Sequence, residues 1–375
     1  MTEIYLIRHT QAEGNRYRMM QGYWDGEITA LGRRQIEALA QRFAQVKLDA
    51  VYASDLSRAV LTAEGAARGS RLPVQTRTDL REINVGPWEQ QFFGNVFHAQ
   101  PELAQTFLYD AENWVLPGAE TFPHVRERAL RQLTELAEEN EGRSIAVVSH
   151  GVTLRCIMSG ITGIPLSETE KLPIFGNTAV SRLLWDGERF RIDYTNDLSH
   201  LPQELRTDWN TSGDLRDEVF DPEQDRAFYE HCYADSWQLA HGDLRAFSPE
   251  VYFRAAVKHH RQLPGSVMKL FHGEEPVGLL DLDPERGKRD GVGWISLLYL
   301  LPAYRRRGCG IQLLARALFF YPQQGRDRLQ LQVAESNTVA RRFYEREGFV
   351  CIGEQKSAGG TLLLMERSLK KERHG

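Results

Sequence analysis

The sequence of 375 residues has no apolar run long enough to span a membrane and, beyond the short run at residues 305–307, no block of lysine and arginine. Its formal net charge of -5 argues against nucleic-acid binding, because phosphate backbones require a strongly basic surface. The first residues, Met1, Thr2 and Glu3, do not have the character of a signal peptide. We therefore expect a protein that acts on small molecules, with neither nucleic acid nor a membrane as partner.

Cysteine is also scarce. The chain has 4 cysteines, and their spacing matches no common metal site. We expect no bound metal, and a reducing compartment, the cytoplasm, is the simplest setting. The composition, 42% hydrophobic and 26% charged residues, is typical of globular proteins. The length exceeds that of a usual single domain and predicts two domains, each with its own core.

Two predicted strands end in histidine. The apolar run at residues 4–7 stops at Arg8 and His9, and the run at residues 144–148 stops at Ser149 and His150. In open α/β sheets, ligands bind outside the carboxyl ends of the strands. A single histidine at a strand end is more often an ordinary polar residue. Two of them, together with nearby arginines, favour a functional site.

Further polar residues fall between these strands. Thr29 is placed to cap a helix with one apolar face, and a short strand at residues 50–53 leads into a helix that carries Arg58 in its first turn. The helix dipole favours an anion at that point. Glu82 follows in a segment that Gly86-Pro87 marks as a loop, where a lone carboxylate would usually be solvated.

These residues resemble the histidine phosphatase superfamily, in its phosphoglycerate-mutase-like branch. The motifs that carry the resemblance are Arg8-His9, Asn15, residues 28–32, residues 54–59, Leu80-Arg81-Glu82 and Ser149-His150-Gly151. The resemblance covers residues 1–204 and implies a three-layer α/β domain. Thr10 stands where the family usually has glycine, and Gln11-Ala12 replaces the common Glu-Thr. We expect these two departures to alter what lies over the phosphate.

The resemblance implies phosphoryl transfer through a phosphohistidine and without metal. The implied catalytic residues are His9 as nucleophile, Glu82 as general acid and then base, and Arg8, Arg58 and His150 around the phosphoryl oxygens. The implied substrate-binding residues are Asn15, Gln21 and Gly22, with Arg8 and Arg58. Phosphoryl transfer depends on fixed positive charge and an in-line nucleophile, which these residue types supply.

Hydrolysis of a small phosphomonoester is favoured over mutase-type transfer, which stays as the alternative. Mutases of this family carry a longer insertion between the loop glutamate and the second histidine, whereas the segment here, from Glu82 to His150, is compact. This segment is rich in aromatic residues at positions 92–114. They either cover the leaving group or form the core of a subdomain, and the sequence does not decide between the two.

A polar stretch at residues 206–213 indicates a boundary, and we place a second domain at residues 205–370. It is predicted to begin with helices, followed by strands at residues 267–271 and 276–282. His259 and His260 lie at a basic helix end. We interpret them as solvated surface and not as a metal site.

The second domain contains an apolar strand, residues 294–301, that runs into the basic turn at residues 305–310. Backbone N–H groups at such a turn bind an anion, and glycine lets the main chain approach it. We expect Gly308 to open the helix that follows. An ordinary strand-to-helix turn would explain the arginines but not the paired glycines, Gly308 and Gly310. We therefore expect a pyrophosphate group as the ligand of this turn.

This turn resembles the acyl-CoA signature of the GNAT acetyltransferase superfamily, and Asn337, Tyr344 and Gly348-Phe349 match the end of that family's pattern. The resemblance implies an α/β acyl-CoA N-acyltransferase fold, acetyl-CoA as donor and an amine as acceptor. The implied cofactor-binding residues are Leu298 and Leu300 through their backbone, Arg305, Arg306, Arg307, Gly308, Cys309 and Gly310 in the turn, and Asn337.

Tyr344 is implied as the acid that protonates the departing thiolate. Glu335 and Asp281 are two candidates for the general base, and the sequence does not choose between them. The whole chain is thus predicted to be a bifunctional enzyme. The alternative for the second domain is a sensor that binds acyl-CoA without turnover.

Overall fold

The computed structural model describes residues 1–207, 215–357 and 360–370, and it separates into two compact units, Met1–Gly213 and Asp214–Gly375. Most of the polar stretch that indicated a boundary, from residue 208 onward, lies outside the described residues. Both units are mixtures of helices and a single mixed sheet, so the predicted α/β class is confirmed.

The first unit is built on a sheet with the strand order β3-β2-β4-β1-β5-β6. Its strands are β1 (Thr2–Arg8), β2 (Ala50–Ala53), β3 (Val74–Thr76), β4 (Ser144–Ser149), β5 (Val180–Trp185) and β6 (Phe190–Asp197). The first four strands of that order pair in parallel, and β5 and β6 are antiparallel to their neighbours. Because β1 and β4 are adjacent and parallel, with Arg8 opposite Ser149, their carboxyl ends meet at one edge.

Helices cover both faces of this sheet. They are α1 (Glu13–Tyr17), α2 (Ala30–Phe43), α3 (Ser57–Ala67), α4 (Phe93–Ala99), α5 (Pro101–Tyr109), α6 (Phe122–Glu139) and α7 (Gly151–Thr162). Successive side chains of β1 point to opposite faces of the sheet. Ile4 and Leu6 belong to the core shared with α6 and α7, whereas Ile7 belongs to the core shared with α2 and α3. The predicted three-layer arrangement is confirmed.

Local signals in the sequence explain where these helices begin. The hydroxyl of Thr29 accepts a hydrogen bond from the backbone N–H of Gly32 over 3.0 Å, which is the predicted cap of α2. Helix α7 begins at Gly151, directly after His150. Most aromatic residues of the segment after Glu82 form a core, since Trp88 and Trp114 are 1% and 0% exposed, whereas Tyr109 is 54% exposed.

The second unit is a sheet with the order β12-β13-β11-β10-β9-β8-β7. Its strands are β7 (Leu215–Val219), β8 (Val267–His272), β9 (Glu275–Asp283), β10 (Val292–Leu300), β11 (Arg328–Ala334), β12 (Val350–Ser357) and β13 (Gly360–Ser368). Its helices are α8 (Arg226–His241), α9 (Pro249–Gln262), α10 (Gly310–Gln323) and α11 (Thr338–Arg346). Strands β10 and β11 are parallel, whereas the other neighbours are antiparallel.

The described residues contain neither a membrane-spanning helix nor a clustered metal site. No helix there combines the length and the apolar character that crossing a bilayer requires. Within the same residues, no cluster of three or more histidine, cysteine, aspartate or glutamate side chains has a geometry suited to a metal ion.

Candidate active sites of the two units

His9 follows the last residue of β1 and has a fixed ring orientation. Its Nδ1 lies 2.6 Å from the carbonyl oxygen of Thr10, which only accepts hydrogen bonds, so Nδ1 carries the proton. The lone pair of the neutral ring is therefore on Nε2. The ring of His150 lies 5.0 Å away, centroid to centroid, and the two histidines are 3% and 0% exposed.

Both histidines are held in the neutral state. Burial, together with the nearby charges of Arg58 and Arg8, keeps the pKa of His9 well below its usual range. Burial and the charge of Arg58 do the same to the pKa of His150. Neither ring nitrogen of His150 has a hydrogen-bond partner within the described residues. A neutral imidazole is the form of histidine that attacks phosphorus.

Arg58 is fully buried and held by backbone oxygens. Its guanidinium donates to the carbonyls of Trp24 and Gly22 over 3.0 and 2.8 Å, and its Nη1 lies 3.4 Å from a carboxylate oxygen of Asp25. Its Nε has no partner among the residues that the structure describes. A buried cation with a remaining N–H donor is suited to bind an anion.

Arg8, the last residue of β1, adds a second buried cation. One of its Nη groups donates to the carbonyl of Phe175, and burial lowers its pKa to about 10. A Cβ placed on Gly151 would lie 3.4 Å from the Nε of Arg8, so the start of α7 runs next to this guanidinium. The edge where β1 and β4 end thus combines two cations, two neutral histidines and a helix N-terminus.

Glu82 lies at the same helix N-terminus. Its Oε1 accepts from the backbone N–H groups of Ile83 and Thr153, each over 3.0 Å, and from the Thr153 hydroxyl over 3.1 Å. Its Oε2 accepts only one bond within the described ranges, from the N–H of Val152 over 3.0 Å. Glu82 as a residue is 8% exposed. The lone loop carboxylate is therefore a fixed, buried group with one oxygen less engaged than the other.

The predicted substrate-binding residues have different surroundings. Oδ1 of Asn15 accepts from the backbone N–H of Ala12 over 3.0 Å, which leaves its Nδ2 as the donor. Gly22 holds Arg58 through its carbonyl, and a Cβ there would lie 2.2 Å from the carbonyl oxygen of Ile83. The carboxamide of Gln21 packs against Gly14 and has no hydrogen-bond partner within the described part of the chain.

The expectation about Thr10 was wrong. Its side chain does not lie over the site: its hydroxyl donates to the carbonyl of Gly32 over 2.7 Å and lies 3.0 Å from Oε1 of Gln35. Thr10 is fully buried against α2. The Thr10 side chain is thus used in packing between the loop after β1 and α2.

Three residues of this framework were missed in the sequence. Glu89 accepts from the backbone N–H groups of residues 22–24 over 3.2, 2.7 and 3.0 Å and so holds the loop that binds Arg58. Asn177 donates to the carbonyl of His9 over 3.1 Å. Thr153 bonds Glu82, and its place in the first turn after a strand-end histidine was the one available signal.

In the second unit, β10 and β11 diverge. Their parallel pairing extends from Val292 to Ile295 on β10, although β10 continues to Leu300. The register of β10 against β9 shifts between Ile295 and Leu297, which is a β-bulge. Beyond it, Leu298 and Leu300 have pairing partners on β9, and none is found on β11 in the described residues. Beyond Ile295 this edge of β10 is therefore not covered by β11, although the carbonyl of Leu300 already accepts from Nε of Arg305.

The basic turn follows directly on this strand. Arg305 is engaged within the protein: its Nε donates to the carbonyl of Leu300 over 2.9 Å and its Nη2 to Asp235 over 2.8 Å. Arg306, Arg307 and Gly308 are exposed, and Cys309 is buried. Gly308 was expected to open the helix, and this was wrong. It has a φ of 80°, Cys309 is the N-cap, and α10 begins at Gly310.

The remaining predicted residues of this unit lie on α11 or next to it. Oδ1 of Asn337 caps α11 by accepting from the N–H of Ala340 over 3.1 Å, which leaves its Nδ2 for another partner. Tyr344 is 7% exposed and packs against Phe343 and Phe349, with ring centroids 5.2 and 5.5 Å away. Burial raises the pKa of Tyr344. Its role as an acid stays a prediction.

The interpretation of His259 as solvated surface was wrong. It is 7% exposed, its Nδ1 lies 2.7 Å from Oδ1 of Asp281, and its Nε2 lies 3.5 Å from Asp283. The hydroxyl of Tyr229 donates to the other oxygen of Asp281 over 2.8 Å. Asp281 is 1% exposed and has both oxygens engaged, which is the geometry of a buried ion pair. Glu335, the other candidate base, is exposed.

Comparison with known proteins agrees with this division of the chain. Residues 4–198 match the family model of the histidine phosphatase superfamily (branch 1), and residues 223–349 match that of the acetyltransferase (GNAT) family. The chain is 30% identical over 205 residues to "Putative phosphoserine phosphatase 2" of Hydrogenobacter thermophilus, covering 54% of this chain and 99% of that protein.

Two further relatives are similar over the same region. "Probable phosphoglycerate mutase GpmB" of Proteus mirabilis is 29% identical over 206 residues, 54% of this chain and 95% of that protein. The solved structure of Bacillus stearothermophilus YhfR gives a TM-score of 0.52 at 31% identity, covering 53% of this chain and 99% of that one. The chain belongs to the histidine phosphatase superfamily, branch 1, and its second unit carries a GNAT acetyltransferase domain.

Proposed function

We propose that the first unit hydrolyses small phosphomonoesters through a phosphohistidine at His9, without a metal ion. The observation that carries this proposal is the orientation of the His9 ring. With Nδ1 bonded to the carbonyl of Thr10, the Nε2 lone pair is available beside His150 and two buried arginines. A fixed nucleophile and preorganised positive charge are what phosphoryl transfer requires.

In the first step, the Nε2 lone pair of His9 forms a bond to phosphorus while the bond from phosphorus to the ester oxygen breaks. Arg8 and Arg58 offset the charge on the three phosphoryl oxygens, and Nδ2 of Asn15 donates to one of them. The departing alkoxide takes its proton from Glu82. We assign this proton to Oε2, because Oε1 already accepts three hydrogen bonds and Oε2 accepts one.

In the second step, Oε2 of Glu82 takes a proton from a water molecule whose oxygen attacks phosphorus. The bond from nitrogen to phosphorus breaks, inorganic phosphate leaves, and the electron pair returns to His9. The proton that Glu82 gave to the alkoxide is thereby replaced, and the cycle closes. We favour water over a second phosphate ester as the acceptor because the segment between Glu82 and His150 is compact.

The test is hydrolysis of p-nitrophenyl phosphate in EDTA. We expect the full chain to retain activity there, and His9→Ala to lose at least about a thousandfold, because nothing replaces the nucleophile. A phosphorylated intermediate that is stable in alkali and labile in acid should be trapped in the wild type only. His124→Ala is the matched control, since His124 has a 62% exposed side chain. Full activity in His9→Ala would remove the proposal.

We propose that the second unit transfers an acetyl group from acetyl-CoA to an amine. The observation that supports it is the edge of β10 beyond Ile295, which β11 leaves uncovered where the two strands diverge. There Leu298 and Leu300 would hold the pantetheine, and the turn ending at Gly310 would hold the pyrophosphate. The bound thioester supplies the acetyl group. Asn337 would contact the cofactor, and Tyr344 would act as the proton donor.

Gly310 is the position that tests this assignment. A Cβ there would lie 3.6 Å from Leu300 and 3.7 Å from Phe343, so alanine fits while valine crowds the turn. We expect Gly310→Val to weaken acetyl-CoA binding at least about tenfold, or about 1.4 kcal/mol, and Gly310→Ala to weaken it less. Calorimetric titration measures both. Gly308 is unsuitable for substitution because its φ of 80° would strain any side chain.

A sensor that binds acetyl-CoA without turnover is distinguished by thiol release. We expect free coenzyme A to appear when the protein is supplied with acetyl-CoA and a panel of amines. Binding without release over the whole panel would favour the sensor.

We assign the two activities to residues 1–204 and 205–370. The cysteines are all free, which is typical of a reducing compartment and supports a cytoplasmic setting.

A further inference from the structure

The tail of the first unit is hydrogen-bonded to its active-site framework at two points. After the turn Gln203–Leu205, the hydroxyl of Thr207 donates to Oδ1 of Asn177 over 2.8 Å. The carbonyl of Leu205 accepts from Nε2 of Gln35 over 2.8 Å. Asn177 and Gln35 are 3% and 0% exposed, so both contacts are made with buried side chains that need all their partners.

Asn177 connects the tail to the nucleophile. Its Nδ2 donates to the carbonyl oxygen of His9 over 3.1 Å and to Oδ1 of Asn15 over 3.3 Å, which uses both N–H groups of the amide. The bond from Thr207 supplies the partner of its oxygen. One carboxamide thus holds the backbone of the nucleophile, a residue that faces the phosphoryl group, and the tail.

The orientation of Asn15 depends on this arrangement. Its Oδ1 accepts from Ala12 N–H and from Asn177, so its Nδ2 is turned to the other side, toward the proposed phosphoryl position. If the amide of Asn177 lost its place, Asn15 would be free to rotate and present oxygen instead. An oxygen there would repel a phosphoryl group and not bind it.

Gln35 makes a second, parallel connection. Its Oε1 lies 3.0 Å from the hydroxyl of Thr10 and accepts from the backbone N–H of Gln11 over 2.9 Å, while its Nε2 reaches Leu205. The loop that follows β1 is therefore connected to the tail at two places, through Asn177 at His9 and Asn15 and through Gln35 at Thr10 and Gln11.

We propose that residues 205–207 are a positioning element of the phosphatase site, in which Thr207 fixes Asn177 and, through it, His9 and Asn15. This inference rests on the phosphohistidine function proposed above. The family model matches only to residue 198, and our sequence boundary stands at residue 204. The element lies beyond both, so the functional first domain extends at least to Thr207.

The test compares variants of the full chain on p-nitrophenyl phosphate. Thr207→Val keeps the shape of the side chain and removes its hydroxyl, and we expect kcat to fall about fivefold while KM changes less than about twofold. Thr207→Ser restores the hydroxyl and should restore kcat. Glu204→Gln changes an exposed side chain of the same turn and should leave kcat unchanged.

Amide hydrogen exchange of residues 9–15 is the second measurement. We expect faster exchange there in Thr207→Val, and wild-type exchange in Thr207→Ser and Glu204→Gln. Wild-type kcat and exchange in Thr207→Val would overturn the positioning role, as would an equal loss of kcat in Glu204→Gln. An inactive wild type would instead contradict the proposed function, and the exchange of residues 9–15 would then decide the role of the tail by itself.

Discussion

Each unit contains a buried histidine, and the charged groups around this histidine have opposite signs in the two units. In the first, burial and the charges of Arg58 and Arg8 hold the pKa of His9 well below its usual range. In the second, burial also disfavours the charged form of His259, but hydrogen bonds to Asp281 and Asp283 outweigh it and raise the pKa to about 9. One ring is held neutral, as the proposed nucleophile must be, and the other is a cation within an ion pair.

The carboxylates explain this difference. Within the described residues, Glu82 has no hydrogen bond to His9 or His150, because its partners are the N–H groups at the start of α7 and the hydroxyl of Thr153. Asp281 bonds His259 directly. A carboxylate kept apart from the histidine can carry a proton for the reaction, whereas a directly bonded pair is neutralised. Proximity of the two residue types alone does not indicate catalysis.

The largest effect we expect comes from breaking the ion pair of the second unit. Asp281→Ala removes one carboxylate from His259 and the acceptor of the Tyr229 hydroxyl. We expect the unit to lose about 3–5 kcal/mol of stability, because a buried charge would lose its main partner. Denaturant unfolding followed by hydrogen exchange in the second unit measures the loss, and phosphatase activity should persist at low denaturant.

Glu285→Ala is the matched control for that substitution. Glu285 pairs with Lys288 at the surface, where both side chains are about half exposed, so we expect a change below about 0.5 kcal/mol. If Asp281→Asn instead kept full stability and lost acetyl transfer alone, Asp281 would be the general base, and the contrast between the two units would fail.

Much of the fold could be predicted from the sequence. Local sequence patterns are enough to predict the strand ends at His9 and His150. They also predict the cap at Thr29 and the start of α7 at Gly151. The burial of His259 could also have been predicted, because it follows Phe253 and Ala256 at helical spacing on the buried face of α9.

Other features depend on contacts between distant parts of the chain. Asn177 bonds His9 across 168 positions, and no local pattern marks it. From the sequence alone, Glu89 resembles an ordinary surface glutamate. Only the folded structure shows that it accepts hydrogen bonds from the loop at residues 22–24. The φ of 80° at Gly308 is likewise set by how the turn leaves the sheet, and a glycine alone does not reveal its sign.

A smaller effect should come from Glu82→Gln in the first unit. The variant has no proton to give, so we expect turnover of an alkyl phosphate to fall about a hundredfold. p-Nitrophenyl phosphate should suffer less, because its leaving group needs no proton. Parallel kcat measurements on the two substrates give the comparison, and equal losses would mean that Glu82 only positions the site.

The same variant has a structural cost that must be measured beside its kinetics. With the amide oxygen facing the three donors at Oε1, the new NH2 group would face the N–H of Val152. That N–H would lose its acceptor, at a cost of about 1–3 kcal/mol. Denaturant unfolding of the first unit detects this cost. The leaving-group comparison remains valid because the same folded population acts on both substrates.

The smallest effect we expect is an opposite pH dependence of stability in the two units. His259 has a folded pKa of about 9, above the unfolded reference of about 6.5, so its stabilisation is complete below pH ~6.5 and is lost as the pH rises to about 9. In the first unit, burial and the charges of Arg42 and Arg206 outweigh Asp197 and lower the pKa of His200 to about 4. Below pH ~6.5 the unfolded chain binds a proton at His200 that the folded unit does not bind. The stability of the first unit therefore falls with falling pH.

Each slope should amount to about 1 kcal/mol, or a shift of about 2–4 °C in the midpoint of the affected unit, because His200 is only partly buried and pH 8.5 lies below the pKa of His259. Thermal unfolding of the full chain at pH 5, 6.5 and 8.5, resolved by hydrogen exchange in each unit, measures them. His259→Gln should flatten only the alkaline slope of the second unit, and His200→Gln only the acid slope of the first. The same sign of slope in both units would show that their histidines do not differ in charge, and the contrast between a neutral and a cationic ring would be lost.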